Sequence, residues 1–289
     1  MILDGRKISK EVAKQVEKKI KKYKLKPCLA VILIGKDPGS LIYVRLKQNA
    51  AKKIGIDFKK FALRQNISQK KVLELINKLN KDKKVHGIIV QVPTPKQLHT
   101  PTLLKAVSTK KDVDAFKDES KFIPPIHQGV IKLIKTSKKP LKNKKVLILG
   151  KNPFFIKGLE PLLKKLALKP KTIYIKDKLP IKEMQKADVL ITVLGKPHII
   201  KPAMIKKNAV LIDVGYSRVS ANGGSRARGG RDASGGKGKS CGDIDPLVKN
   251  KTSYHSPVPG GIGPLTVIYL LKNIYLAAKI FSNKQNMIK

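Results

Sequence analysis

The sequence predicts two open α/β domains, each built on a parallel sheet, with a cleft between them. Three observations carry this reading. Apolar runs closed by glycine, such as residues 29–34 (LAVILI) before Gly35 and 145–149 (KVLIL) before Gly150, have the character of strands buried on both faces. Helix-like stretches separate such runs in both halves of the chain, and that alternation makes a parallel sheet. A chain of 289 residues, 41% of them hydrophobic, also has enough apolar material for two cores.

In the first half, residues 8–24 read as an amphipathic helix with Ile8, Val12, Val16 and Ile20 at fourfold spacing. After the strand at 29–34, Asp37 is a good helix N-cap and Pro38 suits the first helical position, so a helix starts here and runs to about Ile54, where Gly55 ends it. Ser40, Tyr43 and Lys47 fall at i, i+3 and i+7 of that helix, which places a hydroxyl, a phenol and an amine in one arc. Spacing alone reads that arc as a solvated polar face. A strand near 57–62, a helix near 69–80 and a second buried strand at 87–92 follow. Ligands of such sheets bind beyond the carboxyl ends of strands. Gln91 and the Pro93-Thr94-Pro95 turn lie at one such end, and the start of the Lys47 helix lies at another. The next turn, Lys111-Asp112-Val113-Asp114, carries two alternating carboxylates that suit either a site or a capped turn.

A linking helix at 128–135 leads to strands at 145–149, 172–175, 188–194 and 209–214, separated by helices near 159–168, 181–186 and 202–207. Four strands with three short crossovers describe a Rossmann-like nucleotide-binding domain. Residues 150–158 occupy its phosphate-binding position. They lack the GxGxxG spacing, although a helix N-terminus preceded by Lys151 suits a pyrophosphate. Residues 218–241 gather Arg218, Arg226, Arg228 and Arg231 among Gly and Ser and read as a flexible insertion. Beyond Gly242-Asp243-Ile244-Asp245, the Gly- and Pro-rich stretch 256–266 specifies a fixed loop whose backbone can approach a ligand, and an apolar helix at 267–281 closes the chain.

A formal net charge of +44 gives a field that attracts anions. It does not choose among them, because the lysines are diffuse and only 5% of residues are aromatic, unlike the clustered stacking surfaces of nucleic-acid binders. Nucleic acid is therefore not the expected partner. Cys28 and Cys241 have neither disulfide-framework nor metal-ligand spacing, so no metal is expected. No stretch reads as a membrane span or a signal peptide, and the expected location is the cytoplasm.

Several segments together resemble the bifunctional methylenetetrahydrofolate dehydrogenase/methenyltetrahydrofolate cyclohydrolase family, in order and over nearly the whole chain. They are Tyr43-Val44-x-x-Lys47 with Ala50 and Gly55-Ile56, the 87–93 segment GIIVQVP, Lys111-Asp112-Val113-Asp114, and Ala187-Asp188 through Gly195-Lys196-Pro197. The remainder are Ile212-Asp213-Val214-Gly215, Gly242-Asp243-x-Asp245, and Pro257-Val258-Pro259-Gly260-Gly261-x-Gly263-Pro264-x-Thr266. The resemblance implies hydride transfer from 5,10-methylenetetrahydrofolate to NADP, or to NAD in some members, then hydrolysis of the methenyl cation to 10-formyltetrahydrofolate. It implies Lys47 as the catalytic residue of hydrolysis, tuned by Gln91, with Tyr43 stacking on the folate, Asp114 on the pterin edge and Ser40 holding the Lys47 network. Substrate contact extends to Pro93, Pro257, Gly260, Gly261 and Pro264. The cofactor set is Gly150, Lys151, Asn152, Lys176, Asp177, Lys178, Gly195 and Gly215. The implied assembly is a homodimer.

The chain departs from the family pattern at the cofactor loop, where Gly150-Lys151-Asn152 replaces Gly-Arg-Ser. It departs again after the next strand, where Lys176-Asp177-Lys178 replaces His-Ser. An acid at Asp177 favours a free ribose hydroxyl and the two lysines favour a phosphate, so NADP is expected with NAD open. The usual Pro-Cys-Thr-Pro is Pro124-Pro125-Ile126-His127, and Asn49 replaces a second helix lysine. A cyclohydrolase without the dehydrogenase, and an RNA-binding protein on an enzyme scaffold, stand as alternatives. The expected domains are 1–118 with 266–289, and 119–265 interrupted by 218–241.

Overall fold

The computed structural model describes residues 1–151, 153, 156–219, 225–226 and 239–286. The chain forms two compact units: Ser9–Pro125 with Thr266–Lys289, here the first unit, and Met1–Ile8 with Ile126–Leu265, the second. The first residues go with the second unit because their backbone pairs there. Leu3 N donates to His255 O at 2.8 Å, and His255 N donates to Met1 O at 3.1 Å.

The first unit is built on a three-stranded parallel sheet with β1 (Cys28–Ile34) between β2 (Asp57–Leu63) and β3 (Gly87–Val90). Every residue of β1 is buried, as a continuous apolar run requires. Ala30, Ile32 and Ile34 pack with Val72, Ile76 and Leu79 of α3 (Gln69–Lys81), whose N-cap Ser68 accepts from Lys71 N. Leu103 and Leu104 of α4 (Thr100–Ala106) join that core. The sequence did not predict α4, since seven residues are too few to show a helical period. β3 stops at Val90, two residues before its predicted end. Gln91 N still donates to Ile32 O at 2.9 Å, but Pro93 has no N–H to continue the ladder.

Helix α1 (Gly5–Lys22) buries Ile8, Val12, Val16 and Ile20, the stripe its period predicts. Helix α2 (Pro38–Lys53) has the predicted cap: Asp37 Oδ2 accepts from Ser40 N at 2.7 Å. Helix α8 (Ile262–Asn286) starts five residues before its predicted start, because Gly263 and Pro264 fit the first turn, where backbone N–H groups have no intrahelical acceptor. By length and composition its residues 262–283 could cross a bilayer, contrary to the expectation that no stretch could. Most of that span is instead buried within the protein, Leu270, Leu271, Ile274 and Ala277 almost completely.

In the second unit, α5 (Pro125–Thr136) precedes a five-stranded parallel sheet. Its order is β11 (Tyr254–His255), β7 (Val210–Asp213), β6 (Val189–Val193), β4 (Lys145–Gly150), β5 (Lys169–Tyr174). β11 adds a fifth strand to the four predicted and is too short for its pattern to show. The crossovers are short. α6 (Leu159–Lys164) ends early, with Ala167 at φ +57°, α7 is Ile181–Met184, and the helix expected at 202–207 is a single 3-10 turn, Pro202–Met204. Leu147, Leu149, Leu190 and Leu211 pack with Met184, Ile200 and Val248 in the core of this unit. Around the Arg/Gly-rich segment, β8 (Ser217–Val219), β9 (Ser225–Arg226) and β10 (Lys239–Cys241) pair as a small antiparallel sheet. The rest of that segment lies outside the described residues.

Candidate active site

The buried residues of α2 are Ser40, Val44, Lys47 and Ala51. Ser40 and Lys47 therefore point inward beside two apolar neighbours, and the solvated-face reading of this arc is wrong for both. Lys47, 9% exposed, donates from Nζ to Gln91 Oε1 at 3.1 Å. Gln91 is held at both ends: its N–H ladders to Ile32 O, and Nε2 donates to Val92 O at 2.8 Å, which turns Oε1 toward the amine. Tyr43 lies half-buried one turn before Lys47, and the Ser40 hydroxyl is buried without a hydrogen-bond partner. Pro93 is exposed just beyond Gln91.

Asp114 faces the same amine. Burial pushes the Lys47 pKa below its ordinary value, and the charge of Asp114 opposes that shift; burial pushes Asp114 up, and Lys47 opposes it. The turn that presents Asp114 separates the two readings of its carboxylates. Asp112, 3% exposed, accepts from Phe116 N at 3.2 Å and Lys117 N at 3.0 Å, so it caps the turn. Lys111 is also structural, donating to Leu79 O and Asp82 O. Asn273 of α8 was not among the predicted site residues. Its buried Nδ2 donates to Val113 O at 2.8 Å and Ile123 O at 3.0 Å, clamping the turn next to Asp114. A lone Asn in an apolar helix was its only signal. A buried amine with a lowered pKa, an amide orienting it and a carboxylate across from it can take up and return a proton and hold a polar ring edge.

The predicted cofactor residues collect at the carboxyl edge of the second unit's sheet. Gly150 pairs with Tyr174 on one side and Val193 on the other. Lys176, Asp177 and Lys178 are exposed just past β5, Lys151 is exposed past β4, and Gly195 (φ +65°) and Gly215 follow β6 and β7. Asn152 lies outside the described residues. A Cβ added at Gly195 would meet nothing within 4 Å, so the backbone there is open to a ligand. The six-residue α6 behind this edge is much shorter than the helix expected to hold a pyrophosphate, and Gly158 (φ +83°) precedes it without a side-chain cap. In the 257–264 loop, Gly260 and Gly261 are buried and Pro257 and Pro264 half-buried. Gly261 N donates to Pro257 O at 2.7 Å, and a Cβ on Gly5 would lie 1.7 Å from Gly261 O, so that contact is backbone against backbone.

A parallel sheet with glycines ending its strands and an open turn at Gly195 on its carboxyl edge, and a buried amine–amide–carboxylate set, define a nucleotide-dependent enzyme. The chain belongs to the tetrahydrofolate dehydrogenase/cyclohydrolase family: residues 3–114 match its catalytic domain and 124–282 its NAD(P)-binding domain. It is 38% identical over 291 residues to the bifunctional protein FolD of Aquifex aeolicus, covering 94% of this chain and 93% of that one. Among solved structures it is similar to the bifunctional FolD methylenetetrahydrofolate dehydrogenase/cyclohydrolase of Campylobacter jejuni, with 33% identity, a TM-score of 0.85 and coverage of 96% and 98%. The Trypanosoma brucei enzyme complexed with NADP and an inhibitor is similar at 25% identity and the same TM-score, with coverage of 96% and 97%.

Proposed function

We propose that this protein oxidises 5,10-methylenetetrahydrofolate with NADP and hydrolyses the resulting 5,10-methenyl cation to 10-formyltetrahydrofolate, in one-carbon metabolism. The Lys47–Gln91 bond opposite Asp114 carries this reading. A lysine in water is a poor base at neutral pH; burial and a bound substrate cation both shift Lys47 toward the neutral amine. Water adds to the methenyl carbon and loses one proton to the Lys47 amine; the bond from that carbon to N5 then breaks as the Lys47 ammonium returns its proton to N5, and the remaining hydroxyl proton leaves to solvent to give the formyl C=O, a net release of one proton. Gln91 Oε1 holds the amine in place, Asp114 accepts from the pterin edge, Tyr43 stacks on the ring and Ser40 supplies a hydroxyl beside them. Pro93, Pro257, Gly260, Gly261 and Pro264 are assigned to substrate contact.

Gly150, Lys151, Gly195 and Gly215 are assigned to a dinucleotide, because they gather at the carboxyl edge of the sheet and the Gly195 turn leaves its backbone open there. A dinucleotide held by these residues would supply the hydride acceptor for the methylene carbon. Lys176 and Lys178 favour the 2′-phosphate of NADP, while Asp177 between them leaves NAD as the second choice. We place the enzyme in the cytoplasm as a homodimer, with folate derivatives and not nucleic acid as its ligands. The family match over both domains supports the two-activity reading over a hydrolase alone or an RNA-binding scaffold.

The test is purified protein with 5,10-methylenetetrahydrofolate and NADP or NAD, reading reduced cofactor, and separately the decay of methenyltetrahydrofolate. Turnover in both assays is expected. Absence of both would sink the reading.

A further inference from the structure

Two carboxyl groups outside the set assigned above lie deep in the second unit. Asp213 ends β7 and Asp243 follows β10; they are 2% and 0% exposed. Asp243 Oδ2 accepts from Leu194 N at 2.7 Å and Oδ1 from Lys196 N at 2.9 Å, so one carboxyl grips both sides of the Gly195 turn. Asp213 Oδ1 accepts from Gly215 N at 3.0 Å and Asp243 N at 3.2 Å, and Oδ2 accepts from Ile244 N at 2.9 Å. The packing leaves no slack. A Cβ on Gly215 would lie 2.1 Å from the Asp243 carboxyl carbon, and one on Gly242 would lie 2.0 Å from Asp213 Oδ2.

A single buried Asp commonly caps a single turn. Here two converge, and the turns they fix are those after β6 and β7 that form the carboxyl edge. The groups around them are polar or weakly acidic: Thr192 Oγ1 from β6 lies 3.4 Å from Asp213 Oδ1, Ser256 Oγ accepts from Asp213 N at 2.8 Å, and Cys241 of β10 has its thiol pKa raised by burial and by both carboxyls. Among the described residues neither carboxyl has an ion-pair partner. Two adjacent buried carboxyls without a counter-ion cannot both ionise cheaply. Burial first, and Asp243 second, push Asp213 up to about 7.

We propose that Asp243 and Asp213 are positioning residues for the dinucleotide: they hold the Gly195 and Gly215 turns in the binding conformation while Asp213 keeps its proton, and losing that proton sets two buried charges side by side, loosens the turns and weakens cofactor binding. The proposal rests on the cofactor reading above. It makes affinity fall as pH rises through neutrality. Ionisation of a ligand 2′-phosphate acts in the opposite sense, by strengthening the pull of Lys176 and Lys178.

The experiment titrates NADPH into the protein by its fluorescence from pH 5.5 to 8.5, with NADH as the probe lacking a 2′-phosphate, and reads methenyl hydrolysis in parallel. The wild-type Kd for NADH should rise about tenfold over that range, and that for NADPH less. Asp213→Asn should flatten the profile. Asp243→Ala should raise cofactor Kd about tenfold while leaving hydrolysis within about twofold, and Asp243→Asn, which keeps an acceptor, should recover part of the loss. A wild-type NADH Kd that does not change with pH overturns the proposal even if a variant fails to fold, and so does an unchanged cofactor Kd in Asp243→Ala. A wild type that binds NADH with the expected pH profile but neither oxidises nor hydrolyses folate overturns the functional reading instead.

Discussion

Lys47 Nζ donates to Gln91 Oε1 at 3.1 Å, and both side chains are buried. The amine is thus the donor in its own protein contact, and what it does next is set by its protonation state. A charged Lys47 can only donate; a neutral one has a lone pair for a proton from water.

Lys47→Met should therefore abolish methenyl hydrolysis, a loss of about a hundredfold or more, while the circular dichroism spectrum is unchanged. Gln91→Leu removes the acceptor and should lower hydrolysis less. Retained hydrolysis in Lys47→Met would remove this residue from the mechanism.

The pH profile should carry the same signature. The lowered pKa of Lys47 means that the neutral amine accumulates below the ordinary lysine range, so hydrolysis should rise with pH and level off before that range is reached. On the acid side, the raised pKa of Asp114 means that its carboxylate is lost above the ordinary carboxylate range, and substrate KM should climb as pH falls through it. An Asp114→Asn enzyme should lose the acid limb alone.

Asn273→Leu should leave two carbonyls, Val113 O and Ile123 O, without their buried donor. The expected cost is about 1–3 kcal/mol, read as a lower denaturant midpoint. Because Val113 precedes Asp114, folate KM should also rise more than kcat falls. An unchanged KM would make Asn273 a stability residue only.

Lys176→Ala with Lys178→Ala should weaken NADP more than NAD, since a 2′-phosphate gains from both amines and a hydroxyl does not. About a tenfold loss of preference is expected in the ratio of kcat/KM values. Equal loss for both cofactors would place the phosphate elsewhere.

Thermal stability offers a separate check on Asp213. Between the ordinary carboxylate pKa of 3.8 and about 7, the unfolded chain has released a proton that the folded one keeps. Stability must then fall as pH rises across that window and level off above it. Asp213→Asn should lose this part of the slope in melting scans.

Strands such as β1, β4 and β7 were legible in the sequence because an unbroken apolar run has few other uses in a chain this charged. The orientation of Lys47 was not. Helical periodicity assigns a face by its apolar residues, so a buried amine reads as solvent-facing until its acceptor, Gln91, is known from 44 residues away in the chain. Asp112 and Asp114 were equal in spacing, and only the hydrogen bonds to Phe116 N and Lys117 N show which one closes the turn. Asn273 reaches carbonyls 160 and 150 residues distant, a relation that no local pattern encodes. The early end of α6 and the loss of a helix at 202–207 have a simpler cause. Stretches this short are decided by packing, and their propensity is too weak to set the boundary.

The backbone of Met1–Leu3 meets β11 at the margin of the five-stranded sheet. Leu3 N donates to His255 O, His255 N to Met1 O, and the amino group of Met1 to Ser253 O at 2.7 Å. An unpaired strand margin is a template onto which a second chain can add by main-chain hydrogen bonding. The opening residues therefore act as a seal. Without their backbone, β11 would be a two-residue strand with a free rim.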